Sequence, residues 1–162
     1  MNNETAAQRV GLGAAAGLVG TFLIQGLLAA SEKWAPETLP PIKQNPGNFM
    51  VEKVEGRLPD KLRKNIPEPL EKAAAGSLAF GYGTTFGAIY GASRPEVKSV
   101  LLEGSALGLV TWAAGYLGWL PATRLMPPVV KQEPQQIVAP IISHVLFGIV
   151  TAGLYRLVGR RK

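Results

Sequence analysis

Apolar residues gather into four long blocks separated by polar, proline-rich stretches. Residues 10–30 and 73–92 contain no charged side chain. Residues 97–120 carry Lys98 and Glu103 near one end and no charge after them, and residues 137–158 hold only His144 inside and Arg156 at the exit. A bilayer's hydrocarbon core is about 30 Å thick, and a helix needs roughly 20 mostly apolar residues to cross it. Backbone amides and carbonyls have no water to bond there, so each block is expected to be a helix. Helices of a soluble protein need a polar face to meet water, and these blocks have almost none. The first block ends in Ala29-Ala30-Ser31, a small-residue run like a signal-peptide cleavage site, but its apolar stretch is longer than a signal h-region. It is read as a retained span.

A repeat runs through this pattern. Gly13-Ala-Ala-Ala-Gly17-Leu18-Val19 in the first block parallels Gly104-Ser-Ala-Leu-Gly108-Leu109-Val110 in the third. The connectors after these two blocks are also alike. Trp34, Pro36, Thr38, Leu39, Pro40-Pro41, Lys43-Gln44 and Pro46 recur in order as Trp119, Pro121, Thr123, Leu125, Pro127-Pro128, Lys131-Gln132 and Pro134. In the second and fourth blocks Ser77 and Phe80-Gly81 match Ser143 and Phe147-Gly148. The spacing from Tyr82-Gly83 to Tyr90 equals that from Phe147-Gly148 to Tyr155. The unit is therefore helix, proline-rich connector, helix. Each unit begins and ends on one side, which makes the two parallel repeats about an axis along the membrane normal. The predicted fold is an all-α integral membrane four-helix bundle of two helical hairpins, residues 1–96 and 97–162. The first connector is longer by a stretch in which Val51, Val54, Leu58, Leu62 and Ile66 alternate with Lys53, Arg57, Lys61, Arg63 and Lys64, broken by Pro59 and Pro67. Two readings of it stand: a basic amphipathic segment in the membrane interface, or a solvated loop. Trp34 and Trp119 fall where helices reach the headgroups and are expected to be interface anchors.

Lipid offers little drive for helix pairing, so close backbone approach must supply it. Gly83, Gly87 and Gly91 form one stripe because residues four apart share a helix face. Gly13 and Gly17 form another, with Ala16 and Gly20 beside them. Gly104, Gly108 and Gly115 form a third, and Gly148 with Ala152 a fourth. These stripes either close one bundle or leave a face for a partner or a second copy.

Composition agrees with a membrane protein: 162 residues, 47% hydrophobic and only 17% charged, against roughly 25% charged in soluble domains. Mean hydropathy is +0.15. The absence of Cys removes a disulfide scaffold, a thiolate metal site and a cysteine nucleophile. One His removes a bis-His haem and any multi-His metal cluster. Net charge is +6, but the basic residues lie between apolar blocks and make no continuous face for nucleic acid. With four spans, Arg9, Arg94, Lys98, Arg156, Arg160, Arg161 and Lys162 share one side with both termini, against Glu4 and Glu96. The other side has ten Lys and Arg spread over far more residues with eight acids beside them. Raw count favours the connector side and density the termini side; the compact Arg156–Lys162 stop places the termini in the cytoplasm.

Ionisable groups inside a membrane are functional candidates by default, and the spans hold Glu103 and His144. With about 1.5 Å of rise per residue, Glu103 lies about 9 Å in from the termini side and His144 about 10 Å in from the connector side. Gln25, Ser77 and Thr111 fall near the height of His144, with Tyr82 beneath, so a polar layer of Gln25, Ser77, Thr111 and His144 is expected. It serves either as interhelical hydrogen bonding or as part of a proton or solute path through the titratable imidazole. Glu103 has an alternative too, pairing with Lys98 or Arg94 at the interface. No Walker loop, Gly-x-Ser-x-Gly elbow, His-Glu-x-x-His or dinucleotide fingerprint is present. Haem ligation by His144 with Met50 or Met126 stays open, although both methionines fall outside the spans. No catalytic constellation is visible, no cofactor is expected, and the chain is read as a non-enzyme.

Glu32-Lys33-Trp34 with Leu39-Pro40-Pro41, the helix from Phe80-Gly81-Tyr82-Gly83 to Tyr90-Gly91, and Ser143-His144-x-x-Phe147-Gly148 together resemble the YagU type, a bacterial inner-membrane family of unknown function. The resemblance runs from about residue 10 to 158 and implies a topology and a location, but no mechanism. Ala79 stands where that family often has a His in the second helix, which leaves a two-histidine site incomplete. The expected role is a structural or accessory subunit that docks on another membrane protein or on itself. The alternative is a small oligomeric channel or transporter that uses the Gln25–His144 layer.

Overall fold

The computed structural model describes residues 5–41 and 46–159. Lys43 and Gln44 of the first connector, Glu4, and the basic residues Arg160, Arg161 and Lys162 lie outside the described residues. Among those described, the chain is all helical. The long helices are α1 (Ala6–Trp34), α4 (Glu68–Ser93), α5 (Val100–Ala113), which runs on through a π turn, and α7 (Pro134–Gly159); α2 (Pro46–Glu55), α3 (Asp60–Arg63) and α6 (Leu120–Ala122) are short.

Local chemistry sets the boundaries. Thr5 opens α1 with a capping box, its hydroxyl accepting from the Gln8 amide at 3.2 Å while its own amide donates to Gln8 Oε1 at 2.9 Å. Pro36 ends that helix by removing a donor. Pro67 precedes α4, whose first turn carries Glu68 and Glu71 at the positive end of the helix dipole. The exposed pair of Lys72 Nζ and Glu68 Oε1, 2.6 Å apart, holds the Glu68 carboxyl below its usual range. Pro59 and Pro67 break the basic stretch into α2 and α3, as the sequence suggests, and Val54 and Leu62 on it are exposed.

Among the described residues, three helices are long and apolar enough to cross a membrane: Ala6–Trp34, Val100–Ala122 and Pro134–Gly159. The block pattern of the sequence predicts four comparable spans. Helix α4 has the length, 26 residues, but lower hydropathy, because its packing positions are Gly, Ala, Ser and Thr. The outer surface of the long helices is apolar: Phe22, Leu101, Leu102, Val110, Ile142 and Leu157 are all exposed, Leu102 at 76%. The helix crossings are built instead from small residues, with Gly13, Ala16, Gly17, Gly83, Gly87, Gly104, Gly108, Gly148 and Ala152 buried. An apolar outer surface with small residues at the crossings is the pattern for helices that meet lipid and pack through their backbones.

Helix α1 lies between α4 and α7, and α5 packs on the far side of α7; α4 and α5 scarcely touch. The glycines determine how closely the helices approach. A β-carbon added to Gly13 would strike the Gly87 carbonyl and the Gly91 amide, and one on Gly17 would come within 3.0 Å of the Gly87 Cα. Across the other pair, a β-carbon on Gly104 would fall 2.6 Å from the Ile149 Cα, and one on Gly148 would strike the Gly104 carbonyl. Gly20 faces α7 instead, under Phe147 and Thr151. Gly115 takes no part in these crossings. Its nearest neighbour is the Tyr82 hydroxyl, 3.5 Å from an added β-carbon.

Candidate functional site

Two zones result from those crossings. Toward the turn joining α4 to α5 the bundle is closed. The Tyr90 and Tyr155 rings meet edge-on at 5.7 Å. The Tyr155 hydroxyl reaches the Arg94 carbonyl at 2.9 Å and that of Gly91 at 3.3 Å. Glu103 belongs to this closed end. Its Oε1 accepts from the Lys98 and Ser99 amides at 2.7 and 3.1 Å, and its Oε2 lies 3.8 Å from Arg94 Nε. Those amides open α5, whose N-cap is Ser99, so Glu103 folds back as a charged cap and pairs with Arg94. It stands apart from His144, as the difference in estimated depth implies.

Helices that cross closely at an angle diverge away from the crossing. On the connector side they do so around a cavity of about 550 Å³, a volume within the range of small-molecule sites. Gln25, Ser77, Thr111 and His144 all line it, with Tyr82. The cavity walls come from all four long helices, and Leu39, Pro40, Gly47 and Met50 of the first connector and α2 complete them. Gly47 lets α2 sit against α4, since a β-carbon there would lie 2.6 Å from the Ala75 carbonyl oxygen.

Tyr82 spans the open seam. Its hydroxyl donates to the Thr111 carbonyl at 2.7 Å, joining α4 to α5 where the two otherwise barely meet. His144 is oriented by its own helix. Its Nδ1 lies 2.8 Å from the Pro140 carbonyl. A carbonyl only accepts, so Nδ1 carries the proton and Nε2 presents a lone pair. The Tyr116 ring meets the imidazole edge-on at 5.9 Å. Most other hydroxyls of the wall are committed to their own helices: Thr21 to the Gly17 carbonyl, Thr111 to Leu107 and Ser143 to Ala139. No Asp, Glu, Lys or Arg is among the lining residues.

The sequence did not announce the π turn, Ala114–Trp119, which interrupts the expected straight third span. Gly118 within it leaves helical geometry at φ −98°, ψ −108°. π turns insert one residue and are frequent at functional sites. This one brings Tyr116 and Trp119 to the cavity wall. Trp119 is half-buried there, its ring 6.2 Å from that of Tyr82. Trp34 is 73% exposed and lies beneath Lys33 Nζ at 5.2 Å. Paired Gly and aromatic residues around 115–119 were the available signal, but a π turn has no fixed sequence signature.

No protein-family model, no curated protein and no solved structure matches the chain.

Proposed function

We propose that the chain crosses the bacterial inner membrane four times as two parallel hairpins, residues 1–96 and 97–162, with both termini in the cytoplasm, and that it is a small membrane carrier or channel component taking a small molecule into the cavity around His144. The cavity carries this reading: every residue of the expected polar layer lines one space of about 550 Å³ reaching all four long helices. Such a concave, mostly apolar site with a few convergent polar groups is the usual form of a binding site. Two features favour the repeat. The glycine pair of each first helix meets an aromatic-glycine pair of its partner: Gly13 and Gly17 meet Gly87, and Gly104 and Gly108 meet Gly148. The hydroxyls of Thr38 and Thr123, four residues beyond Trp34 and Trp119, each bond back to a carbonyl at the preceding helix end. The YagU-type resemblance favours the inner membrane.

A structural subunit docking through a glycine face is the competing role. It is less supported, because Gly13, Gly17, Gly83, Gly87, Gly91, Gly104, Gly108 and Gly148 are all engaged in crossings within the chain. Native mass spectrometry of protein released from its own membrane in mild detergent separates the two. The carrier reading expects the chain, alone or as copies of itself, with a small non-protein adduct that His144→Ala loses. A stoichiometric larger protein with no adduct would establish the subunit role instead.

A further inference from the structure

We infer that the cavity selects an uncharged, largely apolar molecule that offers a hydroxyl to Nε2 of His144. This rests on the carrier reading and names the chemistry of its ligand. Three observations lead to it. First, no ionised side chain is among the lining residues, and a charge moved into a low-dielectric space without a partner costs several kcal/mol. Second, the wall offers aromatic surface from Tyr82, Phe86, Tyr116, Trp119 and Phe147, which favours a flat or extended apolar body.

Third, His144 turns an acceptor toward the cavity, beside donors at Gln25, Ser77 and Tyr116. His144 Nδ1 donates to the Pro140 carbonyl, so Nε2 only accepts. The hydroxyls of Thr111, Ser143 and Tyr82 each direct their single proton to a helix carbonyl. A ligand that only accepts, such as a ketone or ether, would leave Nε2 unanswered. A hydroxyl donates to Nε2 and can itself accept, so it suits this wall better. Pro140 serves this arrangement directly, because its carbonyl fixes the imidazole tautomer.

The test uses the full-length protein in detergent, with β-naphthol, naphthalene and naphthoate as probes and protein-free micelles subtracted. These share one ring system and differ in a neutral donor, no polar group, and a charge. β-Naphthol is expected to bind about three- to tenfold more tightly than naphthalene, the ratio that one neutral hydrogen bond supplies, and naphthoate most weakly. The preference for β-naphthol over naphthalene should vanish in His144→Phe, which keeps a ring and removes the acceptor. It should persist in His144→Gln, whose side-chain oxygen restores one, with both variants retaining the helical circular dichroism of the parent. Equal binding of β-naphthol and naphthalene, or tightest binding of naphthoate, would overturn the inference while leaving the cavity a binding site. Failure of all three probes to bind would overturn the carrier reading itself.

Discussion

The backbone carbonyl of His144 occupies the space that a side chain on Gly108 would need: a β-carbon there would strike the His144 oxygen and lie 2.7 Å from the Val145 Cα. The crossing that closes α5 on α7 is thus the same contact that sets where the imidazole stands. Packing and site are one construction at this point, and Gly108→Ala should disturb both. Overpacking of this kind costs about 1–3 kcal/mol. Thermal unfolding in detergent should show that loss for Gly108→Ala and Gly87→Ala. Gly26→Ala is the control, since nothing lies within 4 Å of its added β-carbon, and it should be neutral or gain up to about 1 kcal/mol.

Removing the Tyr82 hydroxyl takes away the bond to the Thr111 carbonyl that ties α4 to α5. Tyr82→Phe should destabilise by about 1 kcal/mol. Trp119, whose ring lies 6.2 Å from that of Tyr82, should report the loosened seam as a red shift in emission. An unchanged melting temperature and spectrum would show that the seam is held elsewhere.

Glu103 acts at the closed end. Glu103→Ala leaves the Lys98 and Ser99 amides without their acceptor and should cost about 1–3 kcal/mol. Glu103→Gln keeps an acceptor oxygen and should recover at least half of that loss. Equal losses in the two variants would assign the effect to the Arg94 pairing rather than to the cap.

Thr151 offers the opposite case. It is fully buried under Gly20, and its hydroxyl has no hydrogen-bond partner among the described residues. Thr151→Val keeps the shape and removes an unanswered polar group, so it should stabilise by about 1 kcal/mol. A destabilised Thr151→Val would point to a bond with water or ligand at that site.

The parts of this arrangement that the sequence discloses are those governed by regular geometry. Helical rise alone puts Gln25, Ser77, Thr111 and His144 at one height, and all four line the same cavity. Spacing by four puts Gly83, Gly87 and Gly91 on one face, and that face meets α1. Departures from regularity are not legible in the same way. The π turn at Ala114–Trp119 interrupts the third block and puts the Trp119 side chain on the cavity wall. The return of Glu103 onto Lys98 and Ser99 depends on the extended backbone of Ser99 at φ −133°, ψ 110°, which composition does not specify. Hydropathy sets α4 apart from the other long helices, because the glycines and threonines that suit it for packing lower its average.

Whether α4 crosses the membrane decides the account, since without that crossing the cavity would not be enclosed by four membrane helices. The chain has no cysteine, so single cysteines can be placed at Gln8, Gly56, Ser93 and Gln132 and labelled in intact cells with a membrane-impermeant maleimide. Gly56→Cys and Gln132→Cys should label from outside, and Gln8→Cys and Ser93→Cys only after the membrane is opened. Reversal of all four would invert the orientation and keep the four crossings. Labelling of Ser93→Cys from the same side as Gly56→Cys would contradict the account.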